Sequence, residues 1–166
     1  MSVSETSEAT GVVTPADIAR RLDIATILLR RWFGTLVDLL VLVALLFAPI
    51  PFLTAKAYDA TILIWIGLVL LYFPLTEGIW GRTLGKLVSG TIVVNKDGRP
   101  PGILKAALRT LLRLVEVNPV LLGGIPAGVV VMLTKERQRV GDILAGTYVI
   151  PYKELARAKA MAAVVQ

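Results

Sequence analysis

The sequence predicts an all-α integral membrane protein. Its parts are two transmembrane helices plus a re-entrant or short helical hairpin, with a small cytoplasmic β pairing. Three observations carry that expectation. First, the 166 residues are 55% apolar and 18% charged, with mean hydropathy +0.73; soluble chains average roughly 45–50% and about 25%. Second, two apolar runs of 21 residues, Phe33 to Leu53 and Ala60 to Trp80, each hold a single acid, and about 20 residues cross a bilayer core. Third, the basic residues are confined to the segments flanking those runs. Cys and His are both absent, which removes disulfides, thiolate and imidazole metal sites and His-based catalysis. A net charge of +6 in so apolar a chain points to anionic lipid headgroups and not to nucleic acid.

Taken in order, residues 1–14 are rich in Ser, Thr and Glu and carry no Lys or Arg, as expected of a disordered cytoplasmic tail and not of a cleaved signal. Thr14-Pro15-Ala16-Asp17 is a helix start: a Thr cap, Pro in the first position, an acid in the first turn. Apolar residues then recur at helical spacing, predicting an amphipathic interfacial helix over 15–30. The membrane domain is expected over 31–152 and a C-terminal tail over 153–166. The spans at 33–53 and 60–80 are joined by only six residues and form a hairpin. A third uncharged run, Val117 to Thr134, is interrupted by Asn118, Pro119, Gly123, Gly124 and Pro126.

Basic residues set the orientation. Four precede the first span, one (Lys56) lies in the short loop, seven fall between Arg82 and Arg113, and six follow from Lys135. The positive-inside rule places all but the short loop in the cytoplasm. The chain between Lys105 and Lys135 must therefore enter the membrane and return, turning near Asn118-Pro119. Both termini are expected on the cytoplasmic side.

An internal repeat supports the same topology. Residues 85–94 (GKLVSGTIVV) align with residues 141–150 (GDILAGTYVI) at an offset of 56, and Arg31 and Asp38 are spaced like Arg109 and Glu116. Two copies of helix, helix, Gly-turn and strand are expected. The strands would pair beneath the membrane, and Lys86 and Asp142, equivalent in position and opposite in charge, are expected to interact across the two copies.

The candidate chemistry is sparse. Residues 81–86 (GRTLGK) lack the spacing and the Ser/Thr of a Walker A loop and are read as a juxtamembrane turn. Asp38 is the sharpest residue, about 10 Å of helix rise beyond Arg31. A lone acid at that depth costs about 2.5–3.5 kcal/mol, so it must face protein or water. Arg113 and Arg109 are its expected partners, with Glu77 and Glu116 available to join. Either a buried ion pair that fixes packing or an ion or proton pathway accounts for it.

The residues resemble the RDD family of bacterial membrane proteins, named for one Arg and two Asp. The resemblance runs from Arg30 to about Tyr152. It rests on residues 31–40 (RWFGTLVDLL), which contain Arg31 and Asp38; on 81–86 (GRTLGK); on 107–113 (ALRTLLR); and on 140–147 (VGDILAGT), where Asp142 takes the second aspartate position. It departs where Glu116 replaces a common Asp and where Gly141 replaces a common His. The second departure removes the side chain a His-assisted proton role would use. The resemblance implies an inner-membrane protein linked to transport of unknown ligands, with no enzymatic activity and no cofactor. Arg31, Asp38, Asp142, Lys86, Arg109, Arg113, Glu116 and Glu77 are the functional candidates. A transport role or an accessory or scaffold role remains open. So does assembly as a homo-oligomer or with a membrane-protein partner, since two spans and a hairpin enclose little pathway alone.

Overall fold

Helix α1 (Pro15–Arg21) begins where its cap predicts: the Asp17 N–H donates to Thr14 Oγ1 at 3.3 Å and the Thr14 N–H donates to Asp17 Oδ2 at 3.0 Å. It ends sooner than expected. In this computed structural model, which describes residues 13–48, 50, 57–116 and 125–165, Leu22 is extended and Asp23 caps a new helix by accepting the Thr26 N–H at 2.8 Å. The interfacial helix expected over 15–30 is thus two pieces. Residues 24–30 are the first turns of α2 (Ile24–Phe47), because Asp23 satisfies a free N–H of that helix better than it would sit in a helix interior.

Helix α3 (Ala57–Trp80) also has 24 residues, about 36 Å at 1.5 Å per residue. Its segment Ala60–Trp80 is the helix among the described residues long and apolar enough to cross a membrane. Helix α2 has the same length but carries Arg30, Arg31 and Asp38; part of the run expected to extend it, residues 49 and 51–53, lies outside the described residues. On both helices large apolar side chains face outward, among them Leu36, Leu40, Leu63, Ile64 and Leu71 at 51–70% exposure, while Asp38 and Glu77 are buried at 2% and 0%. Charged side chains inside and apolar ones outside is the polarity of a protein solvated by lipid.

The chain then turns at Gly81 into α4 (Leu84–Ser89), which Thr83 caps, and β1 (Thr91–Asn95) follows. After an Asn95 turn come α5 (Ile103–Glu116), α6 (Ile125–Leu133), α7 (Val140–Ala145), β2 (Thr147–Pro151) and α8 (Tyr152–Val165). Residues expected as a C-terminal tail therefore form α8. Helix α6 has nine described residues, about 13 Å, and follows directly on residues 117–124, which lie outside the described residues. The expected turn at Asn118-Pro119 lies outside the described residues.

The 56-residue repeat is visible in the elements. That offset carries α4 onto α7, Gly90 onto Gly146 and β1 onto β2, and both glycines adopt left-handed φ, 69° and 60°, where a Cβ would be strained. The strands pair antiparallel with Val93 opposite Val149, two residues that are equivalent in the repeat. An approximate two-fold axis passes between them.

The two-stranded sheet separates two environments. Ile92, Val94 and Ile150 form a small apolar core with Ile18 and Ala19 of α1 and Leu155 of α8. Residues of the opposite phase, Thr91, Thr147 and Val149, face the polar side chains described next, as the two-residue period of a strand dictates.

Candidate functional site

The first part of the site is Asp38. Helices α2 and α4 approach so closely that a Cβ on Gly85 would lie 1.8 Å from the Gly34 carbonyl oxygen. That approach brings the N-terminus of α4 onto Asp38. Oδ1 accepts the Gly85 N–H at 2.7 Å and the Tyr72 hydroxyl at 2.9 Å, and Oδ2 accepts the Thr83 hydroxyl at 2.6 Å. Asp38 is thus satisfied by neutral donors from α3, the Gly81–Thr83 turn and α4. It is not paired with Arg113 or Arg109, correcting the sequence expectation. Those arginines belong to α5, which packs along α3 and delivers them to Glu77 instead.

Glu77 is the centre of the second part. Its Oε1 accepts Lys86 Nζ at 2.8 Å and Arg113 Nη2 at 2.6 Å, and its Oε2 accepts Arg109 Nε at 3.2 Å. Arg113 also stacks 4.1 Å from the Phe73 ring centroid. Arg109, fully buried, bridges onward: its Nη1 reaches Asp142 and the Thr147 hydroxyl. Asp142 further binds Arg31 and, at 3.2 Å, Arg139 Nε. Arg31 donates a second bond to the Arg137 carbonyl at 3.0 Å. Lys86 and Asp142 therefore do not meet, although they are equivalent in the repeat. Lys86 turns to the acid nine residues before it, and Asp142 is already occupied by three guanidiniums. The side chain of Glu116 lies outside the described residues.

Electrostatics follow from this crowding. Burial pushes the Lys86 ammonium down to about 8, against the pull of Glu77, with Arg113 and Arg109 adding repulsion. Burial raises the Asp142 carboxyl, but Arg109, Arg31 and Arg139 outweigh it and hold the group well below the usual carboxylate range. Among the described residues no three His, Cys, Asp or Glu side chains are grouped to hold a metal ion.

The RDD family model matches residues 25–146. The chain belongs to the RDD family. Its match ends inside the second Gly-turn, so α1, β2 and α8 lie outside the matched segment. No curated protein matches the chain, and no solved structure does. The Arg and two Asp implied by the family's name acquire distinct partners here. Arg31 binds Asp142 across the repeat, whereas Asp38 holds α4 to α2.

Sequence reasoning missed Tyr72, Thr83, Arg139 and Arg30 at this RDD site. Tyr72 had a signal, a hydroxyl within an apolar span. Thr83 had another, an N-cap residue after a glycine turn. Arg139 stands three residues before Asp142, at the N-cap of α7 and within reach of its carboxylate. Arg30 donates to the Ser89 carbonyl at 3.3 Å, a contact without local signature.

Proposed function

We propose that this RDD protein is a multi-pass inner-membrane protein, with both termini cytoplasmic, that serves as an accessory or scaffold subunit of a membrane complex. A cation or proton carrier needs an intramembrane acid open to a wet path. The observation that carries the accessory reading is Asp38: it is 2% exposed and holds three hydrogen bonds to neutral donors, the condition of a packing latch. Glu77 is likewise engaged by three cations. The exposed apolar faces of α2 and α3 suit lipid or a neighbouring helix. The packing of α1 and α8 on one sheet supports termini on a common side.

Reconstitution into vesicles tests the reading. With an imposed Na⁺, K⁺ or proton gradient, the parent and Asp38→Asn are expected to leak alike, at the rate of empty vesicles. Flux by the parent that disappears in Asp38→Asn at unchanged melting temperature would refute the accessory role. Ligand transport is the second reading, favoured by a polar cavity among the cations beside Glu77 and Asp142.

A further inference from the structure

A cavity of about 30 Å³ opens between α2, α4 and α5, room for two or three oxygen-sized groups at about 10–15 Å³ each, so a tetrahedral anion would seat part of its oxygens inside and keep the rest at the open mouth. Six cations line it: Arg30, Arg31, Lys86, Arg109, Arg113 and Arg139. No carboxylate is among the described lining residues. The hydroxyls of Thr35, Ser89 and Thr91 complete the wall. The salt bridges to Glu77 and Asp142 use part of the donor capacity, and a guanidinium carries five N–H bonds. Arg109 shows the shortfall most clearly. It is fully buried, and among the described residues its Nη2 has no hydrogen-bond partner. A buried donor left unpaired costs free energy that an acceptor would recover. Arg30 and Thr35 are solvent-exposed and form the mouth.

We propose that this cavity is a binding site for a phosphate group, either free inorganic phosphate or the phosphate of an anionic lipid headgroup. Converging planar guanidiniums, an ammonium and hydroxyl donors match a tetrahedral oxyanion with several acceptor oxygens. The same cluster disfavours a cation. The site stands whether the protein scaffolds or transports, because it is argued from the cavity and not from Asp38.

Thermal unfolding of the purified full chain in neutral detergent tests the site, with inorganic phosphate titrated against chloride at fixed ionic strength. At one hundred times the dissociation constant a rise of about 5–10 °C is expected. In a second arm, phosphatidic acid is compared with phosphatidylcholine in the micelle. Stabilisation by inorganic phosphate assigns a free ion. Stabilisation by phosphatidic acid without a response to inorganic phosphate assigns a headgroup. A response to neither overturns the proposal.

Two variants tie the effect to this cavity. Among the described residues the Thr35 hydroxyl bonds only the Arg31 carbonyl of its own helix, so Thr35→Glu removes no tertiary contact and places a tethered carboxylate at the mouth. It is expected to melt higher than the parent without ligand and to lose the phosphate response. Arg30→Gln is expected to weaken binding about tenfold, as loss of one charge-assisted bond does. An undiminished response in both variants would place the anion elsewhere and overturn the proposal.

Discussion

At the scale of single residues, Asp38 and Glu77 show two ways to bury an acid. Asp38 uses three neutral donors and Glu77 uses three cations, so they answer differently to substitution. Asp38→Asn keeps an acceptor for Gly85 and Tyr72 and loses the charged bond to Thr83; a loss of about 1–3 kcal/mol is expected in detergent unfolding. Asp38→Leu leaves the Gly85 N–H and Thr83 hydroxyl unpaired and should cost more than about 3 kcal/mol. Adding Arg113→Leu should not rescue Asp38→Asn, since Arg113 binds Glu77; rescue would mean the two side chains meet. Lys86 supplies a pH dependence. Its folded value of about 8 lies below the ordinary 10.5, so between these pH values the unfolded chain binds more protons and stability rises with pH. The rise should vanish in Lys86→Gln, measured by melting temperature from pH 7 to 10.5. The depth of Asp38 announced a buried acid in the sequence, because a charge inside an apolar run is too costly to leave facing lipid. Its partners did not show, because Tyr72, Thr83 and Gly85 lie 34, 45 and 47 residues away and only helix packing selects them.

At the scale of elements, the repeat was the most legible feature, because Gly-turns and β-branched strands leave local signatures at a fixed offset. The break at Leu22–Asp23 was not. Apolar periodicity continues through it, and only the cap of Asp23 on Thr26 decides it. Two predictions belong here. Gly85→Ala drives a Cβ into the Gly34 backbone and should cost about 3 kcal/mol or more. Gly67→Ala, whose Cβ would meet nothing within 4 Å, should be neutral or slightly stabilising. Equal effects would show that α2 and α4 are not in backbone contact. The register of β1 on β2 is open to cross-linking. The Val93 N–H donates to the Gly81 carbonyl at 2.7 Å, so it faces away from β2. Val93 and Val149 are therefore a non-hydrogen-bonded pair, with Cα atoms about 4.5 Å apart, within disulfide range. Val93→Cys with Val149→Cys should oxidise to a form of altered gel mobility. Val93→Cys with Tyr148→Cys, on opposite faces, should not.

At the scale of the whole molecule, α1 and α8 close one face of the sheet while the charged cluster lies on the other. That layering bears on the proposed sidedness. Ile18 of α1 and Leu155 of α8 share one small core, which supports the proposal that the segments before the first long helix and after the last strand lie on the same side of the bilayer. On that proposal any path between them crosses the membrane an even number of times. In the proposed topology that side is the cytoplasm, on the distribution of basic residues, and the connection between α2 and α3 is periplasmic. The chain contains no Cys, so single introduced thiols report without background. A Cys replacing Tyr58 should react with an impermeant maleimide added to intact spheroplasts. A Cys replacing Asn95, on the β1 turn, or Lys153, on α8, should react only after the membrane is opened. Labelling at Lys153 from outside with Asn95 protected would require an odd number of crossings between them. Because β1 and β2 pair residue by residue from Thr91–Pro151 to Asn95–Thr147, that result would also exclude the sheet and the core built on it.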